Sequence, residues 1–310
     1  MPATSVADRK PDRNAGAAPP DALTLLAFAA TAILAGGNAV AVKLGYAELA
    51  PFWGAAVRFL AAAAILLVVV AVLRLPLPRG RALAGVVTYG ALNFGLGYIF
   101  IYWALTEVTA GAVMVVLAIV PLLTLLLAVA QGVERFSTRG LAGALMAAAG
   151  IAAVFGDNVG VASAMALAAL VLGAISFAQV PVVVKTFPRV DPAVENGLGM
   201  AVGGAMHLVL SLAIGEPRAI PGDPWVQGSL VYLVLFGSIG LFLLYLFVLG
   251  RWTASATSYV LLLAPLATVV LEWAIMGEAP SPMLVVGGAL VIAGVYVGAI
   301  ARPRKKRRAT

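Results

Sequence analysis

Ten stretches of this sequence are each long and apolar enough to cross a lipid bilayer, and that feature decides what the chain can fold into. A helix spanning the hydrocarbon needs about 20 apolar residues. Windows of that length fall at 23–43, 51–73, 82–104, 108–131, 139–156, 161–184, 192–214, 226–250, 253–276 and 282–301. Turn residues or charges separate them, as in Pro76-Leu77-Pro78-Arg79-Gly80 and Pro221-Gly222-Asp223-Pro224. Only 11% of the residues are charged, against roughly 25% in a soluble domain. In water such a chain would expose large apolar patches and aggregate. Lipid is therefore its solvent, and the expected class is an all-α integral membrane protein with ten transmembrane helices. Ten spans take up about 200 residues, so the loops are short and no soluble catalytic domain fits. Cysteine is absent, which excludes disulfide scaffolds and cysteine-held metals.

Basic residues set the expected orientation. With the N-terminus in the cytoplasm, 17 of the 20 Lys and Arg fall in cytoplasmic segments, Lys43 and Arg218 fall outside, and Arg58 lies within a span. That asymmetry predicts a multi-pass protein of the bacterial inner membrane with both termini cytoplasmic. Residues 1–21 are polar and lack an apolar signal-peptide core, so they read as a disordered cytoplasmic tail. Residues 302–310 end in Arg304-Lys305-Lys306-Arg307-Arg308, a basic cytoplasmic tail suited to anionic headgroups rather than to nucleic acid.

The chain also repeats itself. Pro121 and Pro265, Glu134 and Glu278, Gly143 and Gly287, and Gly150 and Gly294 are all 144 residues apart. Lys43 and Lys185 give a weaker echo 142 residues apart. Residues 22–156 and 157–301 thus read as two five-helix units. Five is odd, so the second unit enters the membrane from the opposite side and the halves are inverted. Inverted repeats commonly place a substrate site near the midplane, between the halves.

These residues resemble the EamA-type units of the drug/metabolite transporter superfamily. The first unit carries the resemblance at Gly36-Gly37-Asn38-Ala39-Val40-Ala41-Val42-Lys43, Arg58-Phe59-Leu60, Ala110 to Pro121, Gly132-Val133-Glu134-Arg135 and Gly143 to Gly150. The second carries it at Ala254 to Pro265, Gly277-Glu278 and Gly287 to Gly294, and its opening helix is degenerate beyond Lys185. By overall similarity the bacterial YddG-type exporters of aromatic amino acids look closest. The resemblance implies secondary transport, with export as its direction.

Polar residues inside spans are costly and mark candidate functional positions. Asn38, Asn93, Ser176 and Gln179 can each hydrogen-bond an amine or carboxylate in a solute pathway, or can make an ordinary interhelical hydrogen bond. Tyr89, Asn93, Leu96 and Phe100 follow helical spacing along span three, and Ser238, Phe242 and Tyr245 do so along span eight. Two such mixed stripes would suit a ligand with a ring and polar ends, or would be plain core. Pro121 and Pro265 stand at mirrored depths and, with Pro181, are expected to kink their helices. His207, the single histidine, is a candidate for proton coupling or a structural residue. Arg58 lies about 10 Å below the outer end of span two. It is expected to snorkel to the headgroups or pair with Glu48; alternatively, with Lys43 it forms an electropositive mouth for a carboxylate. Tyr98, Tyr102, Trp103, Trp53, Trp252 and Trp273 are expected in interfacial belts. The paired glycines predict close packing of span five on span ten, or alternatively a dimerisation face.

No phosphate-binding G-x-x-x-x-G-K-[ST] loop occurs, and there is no metal-ligand cluster and no plausible Ser-His-Asp set. No cofactor, metal or enzymatic activity is expected. The sequence therefore predicts a secondary transporter that exports small amphipathic metabolites, amino acids including aromatic ones first among them, by alternating access. Its partners would be a small-molecule substrate and the bilayer, with neither nucleic acid nor an obligate protein partner. The competing readings are a permease for another metabolite or a lipophilic cation, or a membrane-embedded enzyme or receptor. The last two would need converging catalytic groups or signalling domains, for which the chain has no room.

Overall fold

The computed structural model describes residues 20–155, 163–276 and 282–301. Both tails and Glu278 lie outside that set. The described residues form ten helical passes and no strand. These are α1 Ala22–Gly45, α2 Pro51–Val72, α3 Arg81–Ala104, α4 as Ala110–Leu117 and Val120–Ala130, and α5 Thr138–Phe155. The second half continues with α6 Ala164–Thr186, α7 Pro192–Ala213, α8 Pro224–Arg251, α9 as Ala254–Ser258 and Val260–Met276, and α10 Pro282–Val295, whose helix widens over Tyr296–Ile300. Among the described residues nine helices are long and apolar enough to span a membrane, and Thr138–Val154 in α5 is a shorter apolar tenth. At 1.5 Å per residue, the 18 residues of α5 reach about 27 Å, close to the roughly 30 Å of hydrocarbon. Large apolar side chains such as Leu26, Val68, Val72, Val209 and Val231 point outward, as lipid-facing residues do.

The repeat seen in the sequence recurs in backbone detail. Thr109 and Thr253, 144 residues apart, cap α4 and α9 by accepting the amides of Ala112 (3.2 Å) and Ala256 (3.1 Å). Asp21 and Ser163 cap α1 and α6 in the same way through Thr24 and Ala166. Pro51 and Pro192 each occupy the first turn of α2 and α7. Those two helices also end alike. Leu75 donates to Val70 and Arg74 to Ala71; 141 residues on, Glu216 donates to Ser211 and Gly215 to Leu212. This ending requires a left-handed residue, supplied by Arg74 (φ 51°) in one half and by Gly215 (φ 71°) in the other.

Packing follows the same exchange of halves. The two most extensive contacts, α2 on α7 and α5 on α10, each join a helix to its own repeat mate. Helix α1 lies against α8 and α9, and its mate α6 against α3 and α4. Likewise α3 touches α7 and α8 touches α2. The contact pattern is thus carried onto itself when the halves are swapped, with α1 and α6 each lodged in the opposite half. Five crossings per unit make the two units antiparallel through the membrane. On α5 and α10 the approach is backbone to backbone: a Cβ at Gly143 would stand 2.4 Å from Gly298 Cα and 2.5 Å from the Gly294 carbonyl.

The prolines do not break their helices alike. In α4 the interruption falls at Ala118 and Ile119, directly before Pro121. In α9 it falls at Tyr259, while Pro265, like Pro181 in α6, stands inside a continuous helical run. The expected mirrored interruption is therefore displaced in the second half. Tyr259 anchors it there, its hydroxyl donating to the Gly140 carbonyl of α5 at 2.9 Å.

Candidate functional site

Helices α3 and α8 each contain one π-helical turn, at Ala91–Gly97 and Leu235–Gly240, and the two begin 144 residues apart. A π-turn inserts a residue into the hydrogen-bond ladder and is frequent at functional sites. In α8 the Leu241 amide donates to Phe236 and Ser238 and passes over Gly237. The freed Gly237 carbonyl is taken by two side chains from the other half, Asn38 Nδ2 at 3.0 Å and Arg58 Nη2 at 2.7 Å. In α3 the Tyr98 amide donates to Gly95 and passes over Phe94. His207 of α7 lies there, its Nε2 3.0 Å from the Phe94 carbonyl. Each π-turn is thus capped by a buried side-chain donor from across the pseudo-two-fold axis.

Arg58 departs from expectation. It is 2% exposed, and does not snorkel. Its Nε donates to Ser238 Oγ at 2.8 Å, and its guanidinium lies 4.8 Å from the Phe59 ring centroid. Glu48, its expected partner, instead accepts the Gly222 amide at 2.7 Å and the Asp223 amide at the start of α8. A helix N-terminus is a good carboxylate site, and that competition removes Glu48 from Arg58.

Buried aromatics run beside this junction. Phe94, fully buried, stands 4.6 Å from Phe242, 5.4 Å from Tyr89 and 5.3 Å from Phe59, centroid to centroid. Phe59 continues to Tyr98, and Tyr98 to Tyr102 and Phe177. Tyr98 and Tyr102 are therefore cluster residues rather than belt residues. Trp252 is also buried, packed edge-on against Phe28.

The expected stripe Tyr89, Asn93, Leu96 and Phe100 is interrupted by the π-turn at Ala91–Gly97; Phe94 packs edge-on against Tyr89, and Phe100 packs toward Gly173 of α6. Tyr89 is fully buried, and its hydroxyl donates to Asn196 Oδ1 at 2.8 Å. Asn93 is buried, with Nδ2 lacking a hydrogen-bond partner. Ser238 and Phe242 are buried at the junction, and Tyr245 lies three residues beyond Phe242, against the same core. Ser176 donates to the Leu172 carbonyl of its own helix, and Gln179 pairs reciprocally with Gln131 at 2.8 and 3.1 Å. Neither set of hydrogen bonds reaches α3 or α8.

Openings on both sides of the bundle are formed by described residues. The larger, about 480 Å³, lies on the side of the chain termini and is lined by Asp21, Thr24, Glu134, Lys185, Arg251 and Trp252, among others. Glu134 there accepts the Ser255 amide at 3.1 Å, and Lys185 donates to the Leu249 carbonyl. On the opposite side a pocket of about 20 Å³ runs between Tyr46, Leu49, Gly54 and Leu233 to Arg58 and Tyr102, room for one water molecule. Glu216, after α7, ties the start of α2 to it by accepting the Phe52 and Trp53 amides.

Comparison with known proteins agrees with this architecture. A solved crystal structure superposes with a TM-score of 0.76 at 22% identity, covering 90% of this chain and 96% of the other. A "Probable terminal-alkyne amino-acid exporter" of Streptantibioticus cattleyicolor is 28% identical over 229 residues, 71% of this chain and 74% of that protein. An "Uncharacterized transporter" of Archaeoglobus fulgidus is 24% identical over 290 residues, 88% of this chain and 96% of its own. The family model of EamA-like transporters matches twice, at residues 22–156 and 164–299. With ten passes, doubled packing and two family matches, this chain belongs to the EamA-like transporter family.

Proposed function

We propose that this transporter exports small amphipathic metabolites, amino acids including aromatic ones foremost, from the cytoplasm across the bacterial inner membrane. The observation that carries the substrate class is the similarity to a protein named as an amino-acid exporter. Residues 22–156 and 157–301 act as the two transport units, and both tails are cytoplasmic. The asymmetry of basic residues supports that orientation. It makes the 480 Å³ opening the cytoplasmic entrance and the 20 Å³ pocket the closed outer gate. A cytosolic solute then enters from the open side, and exchange of the two half-related packings exposes it to the other. Asn38, Asn93, Ser238, Phe242 and Tyr245 line the path, with Phe100 at its edge. The aromatic cluster offers edge and face contacts to a ring, and the unpaired amide atoms offer hydrogen bonds to polar ends.

The test is flux in proteoliposomes with a panel of labelled amino acids. Tryptophan and phenylalanine should move down their gradients. Failure of both, with transport of another solute class, overturns the substrate assignment.

A further inference from the structure

We propose that Arg58 and Asn38, both bound to the freed Gly237 carbonyl, form a headgroup site for an α-amino acid: Arg58 Nη1 takes the carboxylate and Asn38 Oδ1 the ammonium. The proposal rests on the amino-acid reading above and deepens it.

A guanidinium taken out of water costs several kcal/mol unless a counter-charge compensates it. Arg58 is 2% exposed, and the groups it bonds, Ser238 Oγ, the Gly237 carbonyl and the neighbouring Tyr102 hydroxyl, are all neutral. Nη1 has no hydrogen-bond partner. Such an ionisable group within a membrane protein marks a pathway, and the missing charge is that of a carboxylate.

Asn38 stands beside Arg58 on the same carbonyl. Asn38 Nδ2 and Arg58 Nη2 lie 3.0 and 2.7 Å from the same oxygen. Their unused atoms, Asn38 Oδ1 and Arg58 Nη1, are each one covalent centre further on, and both lack partners. An acceptor and a cationic donor anchored on one shared oxygen complement an ammonium and a carboxylate joined by a single carbon. The narrow pocket on the side away from the termini ends at Arg58 and is walled by Val42, one turn beyond Asn38 on α1. Phe59 and Tyr98 beside the guanidinium then face the ligand's side chain.

Ligand-induced thermal stabilisation of the purified protein in detergent tests this. The probes are L-phenylalanine, 2-phenylethylamine (no carboxylate) and 3-phenylpropionate (no amine), with L-leucine, 3-methylbutylamine and 4-methylpentanoate as a second set. The wild type should bind each amino acid more tightly than either half-probe. Arg58→Gln should weaken amino-acid binding by about tenfold to a hundredfold, the range of a charge-assisted hydrogen bond, and erase the preference over the amine. Arg58→Lys, which keeps the charge, should retain part of that preference. Asn38→Leu should instead erase the preference over the carboxylate-only probe and spare the other. A merely structural role would lower all three probes by one factor. That result, or unchanged preferences in Arg58→Gln and Asn38→Leu, overturns the site while amino-acid binding stands. If no amino acid stabilises the wild type in either set, the amino-acid reading falls and this site falls with it.

Discussion

At the scale of single residues, the structure divides polar side chains into those with every bond made and those left one bond short. Tyr89 belongs to the first kind, its hydroxyl on Asn196 Oδ1 at 2.8 Å. Asn196 Nδ2 already lacks a partner, so Tyr89→Phe strands a second atom of the same amide in a fully buried place. That should cost about 1–3 kcal/mol, read as earlier thermal unfolding in detergent, with amino-acid flux retained in the folded fraction. Equal stability of Tyr89→Phe and wild type would show the bond to be dispensable. The residues left one bond short were only partly legible in the sequence. Asn38 and Asn93 stand out as polar groups in apolar runs. Arg58 reads as a snorkelling cation, because its distance from the span end permits it. What holds it inside is a carbonyl freed on a helix 179 residues away, and hydropathy carries no trace of that.

At the scale of elements, spacing gave the helices and glycine pairs but missed the π-turns. A repeat of four or seven residues assumes 3.6 residues per turn, so one wider turn rotates everything after it. The stripe on α3, spaced for 3.6 residues per turn, runs across such a turn at Ala91–Gly97. The glycine pairs on α5 and α10 needed no such register, since small residues at seven-residue spacing stay on one face. Their packing yields a quantitative expectation. Gly143→Ala would put a methyl 2.4 Å from Gly298 Cα and 2.5 Å from the Gly294 carbonyl, atoms that move only if the helices separate. Overpacking of this kind costs about 1–3 kcal/mol. Gly228→Ala on α8 meets nothing within 4 Å and should gain about 0.5–1 kcal/mol from the lost glycine entropy. The two variants should therefore shift thermal unfolding in opposite directions. A shared direction would mean that α5 and α10 are not held by their backbones.

For the whole molecule, the decisive property is that equivalent loops face opposite sides of the membrane. Swapping the halves carries α2 and its Arg74 ending onto α7 and its Gly215 ending, so the loop after α2 corresponds to the loop after α7. Leu77 in the first is 61% exposed and Ile220 in the second is 91% exposed. The chain has no cysteine, which makes each position a unique label once substituted. In intact cells, Ile220→Cys should react with a membrane-impermeant maleimide, and Leu77→Cys should react only after permeabilisation. Labelling of both from the same side would mean an even number of crossings between them. The halves would then run parallel, and a pocket shared between inverted units would have no geometric basis. The reverse pattern, with Leu77→Cys labelled from outside, would keep the inversion but turn the 480 Å³ opening outward. The gradient a solute meets at that opening would then be the opposite one, so this labelling experiment also decides whether the large opening loads a solute for export or for uptake.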